Sequence, residues 1–269
     1  MSGFSRRVAA LAGLPEDRLV RLAGGDLSEV LLLQWGDGRR SVAKGGPAIG
    51  TEAAMLRALA EAGIASPKVE AEHEGVLLLE HVANDQVFSP SAWSAIGAAV
   101  GRLHRCMGTR YGWHVDYALG SVALDNRMTD DWPSFWAAQR LVAAASVLDR
   151  PWRRRVERLA ERMPELLPAA PPPSFLHGDL WTGNILVANG QLAALIDPAC
   201  YYGHAEVDVA MLTLFASPPP EFWDAYGQPD QDWRGRRSVY QLFPALVHLR
   251  LFGAAYAAMA DRLLQELGV

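Results

Sequence analysis

His177-Gly178-Asp179-Leu180-Trp181-Thr182-Gly183-Asn184, followed by the apolar run Ile185 to Val187, the pair Asn189-Gly190, and Gln191 to Ile196, ends at Asp197. An Asn-Gly pair between two apolar runs is the strongest short signal for a tight hairpin, because both residues tolerate a positive φ. Pairing of the two runs brings Asn184 and Asp197 to the open ends of adjacent strands, facing one point. A carboxylate and an amide oxygen are hard ligands suited to Mg2+. The stretch therefore predicts a divalent-cation site at a strand mouth, with the carboxylate of Asp179 held five residues before Asn184.

That Asp-x4-Asn spacing is the one used in kinase catalytic loops, where the Asp accepts the proton of the substrate hydroxyl and the Asn holds metal. Phosphoryl transfer also requires neutralisation of charge on the phosphoryl oxygens and a nucleotide held in line. The N-terminal part supplies candidates for both. Lys44 closes Val42-Ala43-Lys44 at the end of a third expected strand, in the position of a phosphate-pairing lysine, and Glu52 on the next helix is its expected ion-pair partner. Gly24 and Gly25 fall in the first hairpin turn, where missing side chains let backbone amides approach phosphates. Glycine turn, lysine, glutamate, Asp-x4-Asn and aspartate thus occur in kinase order, and ATP with Mg2+ is the expected cofactor pair.

Around these residues the chain divides in two. Residues 1–82 form an N-terminal nucleotide-binding lobe with short strands at 18–23, 30–34, 41–44, 68–71 and 75–80, joined by glycine turns as an antiparallel meander. One helix interrupts them, capped by Thr51, carrying Met55, Leu56 and Leu59 at helical spacing, and stopped by Gly63. Residues 83–269 form a C-terminal catalytic and substrate-binding lobe dominated by helices. Trp93, Ile96, Val100, Leu103 and Met107 make one stripe, and further helices run over 132–148 and 152–163. Arg153, Arg154 and Arg155 are expected on a solvated face, and Pro168 to Pro173 is a stiff linker. The fold class is α+β, a bilobal protein-kinase-like fold with a small antiparallel sheet and one main helix in the first lobe.

Composition bounds the partners. The chain has 269 residues, 50% hydrophobic, and a formal charge of −5. Such a surface does not gather polyanions, so a nonspecific nucleic-acid binder is excluded. Two cysteines, Cys106 and Cys200, cannot build a disulfide framework, which indicates a reducing compartment. The apolar stretch Val8 to Leu14 ends at Pro15-Glu16-Asp17 without a cleavage pattern, and His248 and Arg250 interrupt the most apolar tract, Ala245 to Ala260. No membrane span is expected, and the protein is expected to be cytoplasmic.

His-Gly-Asp at 177–179 is similar to the aminoglycoside phosphotransferase and choline kinase superfamily. The full string from His177 to Asn184, then Ile196-Asp197-Pro198-Ala199, Tyr201-Tyr202-Gly203-His204-Ala205-Glu206-Val207-Asp208, and Tyr240-Gln241-Leu242-Phe243-Pro244 resembles the fructosamine kinase (ketosamine-3-kinase) family. The likeness extends from about Gly24 to near the C-terminus. It implies transfer of the ATP γ-phosphate to the C3 hydroxyl of a ketosamine, on a free amine or a glycated protein, with an unstable product that releases the amine. It also implies Asp179 as base, Asn184 and Asp197 as metal ligands, and Lys44 with Glu52 as the phosphate-orienting pair. Leu79 to Val82, including Glu80, corresponds to the interlobe hinge that meets adenine, and Trp181, His248 and Met211 to residues around the sugar. An aminoglycoside-, choline- or free-sugar kinase is the alternative on the same scaffold. A pseudokinase is disfavoured, since base, metal ligands and lysine are all present.

Other residues have plainer readings. His177 and Asp208 are expected to hold the catalytic loop by hydrogen bonds, His104 to be a satisfied core histidine, and the cysteines to be small buried hydrophobes. No His or Cys set has zinc-ligand spacing. Trp93, Trp132 and Trp136 are expected in the core, while Trp181, inside a polar loop, is a candidate sugar platform.

Overall fold

The computed structural model describes residues 3–22 and 29–269. Gly24 and Gly25 lie outside the described residues. The chain opens with α1 (Gly3–Ala12), the segment expected to be only a short apolar stretch. Its periodic Phe4 and Val8 are buried, and they pack against Leu31, Leu33, Ala43 and Val76 on the outer face of a sheet. A strand face so apolar must be covered, and α1 covers it.

That sheet contains β1 (Leu19–Arg21), β2 (Val30–Gln34), β3 (Arg40–Gly45), β4 (Val69–His73) and β5 (Val76–Glu80), ordered β1-β2-β3-β5-β4 and antiparallel throughout. The order departs from the expected simple meander. α2 (Ile49–Glu61) follows β3, and the chain then lays down the edge strand β4 before β5 returns beside β3. Ala53 and Leu56 of α2 pack on Leu77 and Leu79, whereas Met55 and Leu59 belong to the larger core. One helix is therefore wedged between the sheet and the helical part. Thr51 does not cap it: the N-cap is Ala48, without a side-chain hydrogen bond, and Thr51 lies in the first turn. Gly63, at φ 73°, ends it as expected.

Beyond the sheet the chain is mainly helical. α3 (Pro90–His104) is capped by Ser89, whose hydroxyl accepts from the N–H of Ala92. A hairpin, β6 (Tyr117–Leu119) and β7 (Val122–Leu124), precedes α4 (Trp132–Ser134), a π-helical segment Phe135–Val142, and α5 (Ala143–Ala145). α6 (Arg150–Ala160) and α7 (Met163–Leu166) follow. Arg153 and Arg154 are exposed, but Arg155 is not merely solvated. It donates to Asp261 at 2.6 Å and to the carbonyl of Val269 at 3.0 Å, tying down the C-terminus.

β8 (Ser174–Leu176) pairs with β11 (Tyr201–Gly203), and the stretch between them folds back as the hairpin β9 (Ile185–Ala188) and β10 (Gln191–Leu195). Its turn residues Asn189 and Gly190 have φ of 52° and 70°, as a type I′ turn demands. α8 (Glu206–Phe215), α9 (Pro220–Tyr226), α10 (Trp233–Phe252) and α11 (Ala257–Glu266) complete the chain. The run Trp233–Glu266 has the length and composition of a membrane span, but Gly253, at φ 73°, breaks it into two helices, and α10 packs against α8. Trp132 and Trp136 are fully buried, as is Cys200, while Cys106 is only half-buried.

Candidate active site

Lys44, the penultimate residue of β3, pairs in register with Val30 on one side and Leu77 on the other. Its ammonium reaches Glu52 of α2 at 2.6 Å and, from across the interlobe cleft, Asp197 at 2.7 Å. Lys44 and Glu52 are both buried. Burial opposes the charge on Lys44, but the carboxylates of Asp197 and Glu52 outweigh it and hold the ammonium above its ordinary pKa. A permanent cation is thus fixed at the end of a strand.

The opposite wall is the 177–197 stretch. Asn184 donates through Nδ2 to the backbone oxygen of Asp179 and to its Oδ2, each at 2.9 Å. This leaves Asn184 Oδ1 as a free acceptor. Asp197 follows β10 with φ 54°, a left-handed conformation that costs a non-glycine residue about 1 kcal/mol or more. Burial raises the Asp179 carboxyl to about 7, partly offset by the Asn184 hydrogen bond, with the charges of Asp197 and Asp208 adding to the rise. Among the described residues no cluster of three His, Cys, Asp or Glu side chains forms a metal cage. The oxygens of Asn184 and Asp197 suit a hard cation that takes its remaining ligands from water and phosphate, as Mg2+ does.

The loop is held from behind. Asp208 on α8 accepts from the N–H of His177 at 2.7 Å and of Gly178 at 2.9 Å. Its charge is supported by His104, whose Nε2 lies 3.1 Å away and whose Nδ1 is 3.0 Å from the hydroxyl of Tyr226. His177 Nδ1 accepts from the N–H of Asp179, which leaves Nε2 to donate to the carbonyl of Ile196 at 3.0 Å. The hydrogen bonds expected of His177 and Asp208 are seen in these contacts, and His104, expected as a satisfied core histidine, is buried with both ring nitrogens in contact and also supports Asp208.

A cleft of about 430 Å³ lies between the walls. Lys44, Glu80, Val82, Trp181, Asn184 and Asp197 line it, with Val30, Val42 and Ile196 supplying apolar surface. Glu52 stands behind Lys44. Trp181 is 37% exposed, and its ring folds back onto Gly183, where a Cβ would come within 2.3 Å of it. His248 sits farther out, linked to Trp181 through Phe215. Met211 is buried on α8 and is not part of the cleft wall.

Sequence reasoning passed over Asn84, Gln86 and Tyr117. Asn84 and Gln86 line the cleft beyond the expected hinge Leu79 to Val82, in a segment without periodicity. Tyr117, on the short hairpin, lies near enough to Glu52, Asp197 and Asp179 that their charges add to burial in raising its phenol. A three-residue strand gives no pattern to read.

The family model described as fructosamine kinase matches residues 39–268. The chain belongs to the fructosamine kinase family. A "Probable ketoamine kinase" of Thermus thermophilus is 33% identical over 260 residues, 91% of this chain and 92% of its own length. Another of that description, from Enterococcus faecium, is 34% identical over 181 residues, 64% of this chain and 65% of the relative, just under two thirds of its length. The crystal structure of a "putative fructosamine-3-kinase" from Thermobifida fusca YX-ER1 superposes with a TM-score of 0.84 at 28% identity, covering 98% of both chains. The bilobal protein-kinase-like fold of the fructosamine kinase family is therefore the fold of this chain.

Proposed function

We propose that this protein is an ATP-dependent kinase that phosphorylates the C3 hydroxyl of ketosamines, on free amines or glycated proteins, and so initiates their deglycation. The observation that carries the reading is the Lys44 ammonium, bridging Glu52 and Asp197 at a cleft whose far wall holds Asn184, with the Asp179 carboxylate hydrogen-bonded behind it. Membership of the fructosamine kinase family supports the acceptor class.

In this reading Asp179 accepts the proton of the attacking hydroxyl as the new O–P bond forms and the bond from the γ-phosphorus to the ADP oxygen breaks. Lys44, immobilised by Glu52, orients the phosphates. Asn184 and Asp197 would hold Mg2+, which when bound neutralises phosphate charge. The segment 79–82 at the end of β5, with Glu80 and Val82, would meet the adenine, and Trp181 and His248 the sugar. The division of labour between residues 1–82 and 83–269 belongs to the same proposal, supported by the sheet ending at Glu80 and the helical part beginning at Pro90. Two unpaired cysteines suit a reducing, cytoplasmic setting.

The test is ADP release from Mg-ATP with fructosamine, ribulosamine and erythrulosamine substrates, with phosphorus NMR to locate the phosphate at C3. Aminoglycosides, choline and free sugars serve as competing acceptors. Absence of 3-phosphorylation with all three ketosamines would remove the proposal.

A further inference from the structure

We propose that a run of five aromatic rings leading out of the cleft reads the amine end of the acceptor, selecting ketosamines whose nitrogen carries an aromatic or bulky apolar group over small or carboxylate-bearing ones. This rests on the ketosamine kinase reading above.

The run begins at Trp181, two residues after Asp179 and on the cleft wall. Phe215, the last residue of α8, meets Trp181 edge-on at 6.0 Å between centroids. His248 lies 5.0 Å from Phe215, and Tyr256 and Phe252 lie 4.9 and 5.5 Å from His248. Packing does not account for this array. Trp132, Trp136, Phe135 and Tyr201 are fully buried in the core, whereas Phe252 is 39% exposed and the other outer rings are half-buried. Contiguous solvent-facing aromatic surface continuous with a cleft marks a ligand wall.

Ketosamine chemistry fixes what reaches that wall. The nitrogen is on C1, two carbons from the reacting C3, so with C3 at Asp179 the nitrogen and its substituent must leave near Trp181. At neutral pH the nitrogen is a secondary ammonium, and ring faces attract cations. Among the described residues no Lys or Arg side chain lies over any of these five rings. Arg250, the cation on the same helical turn as His248, donates instead to the carbonyls of Ala143 and Ala144. His248 donates from Nδ1 to the carbonyl of Pro244, leaving Nε2 as a neutral acceptor. Among the described residues the wall therefore offers ring faces and an acceptor, with no cation over them to pair a carboxylate.

The experiment compares kcat/KM for one sugar linked to methylamine, benzylamine and glycine. The benzylamine adduct should exceed the methylamine adduct by about tenfold, the scale of one well-filled apolar pocket, and the glycine adduct should be poorest. Phe252→Ala should cut the benzyl-to-methyl ratio to about two, and Phe215→Leu should lower it from the inner end. Val147→Ala, at an exposed position outside the run of rings, should leave it unchanged, with melting curves reporting the folding of each. Equal kcat/KM for all three adducts, or a ratio indifferent to both ring variants, overturns this inference alone. Turnover of no ketosamine overturns the underlying function as well.

Discussion

The carbonyl oxygen of Ala199 occupies the place where a side chain on Gly178 would begin, 2.0 Å from an ideal Cβ. Gly178 also has φ 82°, and the N–H of Ala199 donates back to the carbonyl of His177 at 2.8 Å. Two backbone segments that carry Asp179 and Asp197 thus touch without an intervening side chain. The second residue of the His-Gly-Asp triplet is glycine for that steric reason.

Gly178→Ala should destabilise the fold by roughly 3 kcal/mol or more, from backbone overlap together with left-handed strain. Gly36→Ala, at an exposed position with open space around it, should change stability by less than about 1 kcal/mol. Denaturant unfolding of the two variants makes the comparison, and equal losses would contradict it.

For Asp179→Asn, the structure predicts an intact fold, because an amide oxygen can still accept from Asn184 Nδ2. Removal of the proton acceptor should lower kcat by about 10²- to 10⁴-fold with little change in nucleotide affinity. Asp197→Ala should instead weaken ATP binding in the presence of Mg2+. Titration calorimetry alongside turnover separates the two, and a normal kcat for Asp179→Asn would refute the assignment.

Lys44→Met leaves the buried Glu52 without its cation, so it should both raise the KM for ATP at least tenfold and lower stability. Adding Glu52→Gln should recover stability by about 1 kcal/mol or more without restoring the KM, since an unpaired buried charge is relieved but the phosphate contact is still missing. Additive effects on stability would show that the pair is not coupled.

The two buried histidines should cost stability as pH drops from 7 to 5, while the Asp179 carboxyl, which gains its proton in the folded chain first, offsets part of that loss. Burial holds His177 below its ordinary pKa, and protonation would also cost the hydrogen bond that Nδ1 accepts from Asp179. Burial, aided by Arg236, lowers His204 to about 3. Below pH 6.5 the unfolded chain takes up these protons while the folded chain does not, so each histidine removes up to about 1.4 kcal/mol per pH unit. His204→Asn should flatten the slope, and denaturation midpoints at pH 7, 6 and 5 would test it. The same pH dependence in His204→Asn as in the parent chain would contradict the burial argument.

Much of the site was legible because its chemistry is local. Asp179 and Asn184 share one loop, and Asn189-Gly190 dictates the hairpin that returns the chain to Asp197. Lys44 and Glu52 were readable from a strand followed at once by a helix. The α1 helix was not, since a ten-residue amphipathic stretch shows its purpose only against the sheet face that Phe4 and Val8 cover. Thr51 misled in the other direction: a good capping residue lies inside the helix because packing of Ala53 and Leu56 on the sheet sets where the helix begins. Arg155 looked solvated because its partners, Asp261 and Val269, lie more than a hundred residues away.

Residue order alone settled which groups carry charge, which can bind a hard cation, and which turns reverse the chain, because these are properties of side chains and of backbone torsions within a few positions. Folding settled the rest: that Lys44 meets Asp197 across 153 residues, that Asp208 and His104 steady the loop from behind, and that Trp181 is continued by Phe215 and His248 while Met211 is turned inward. Those outcomes follow from how apolar faces distant in sequence find burial together, and no local pattern encodes the partner each face will meet.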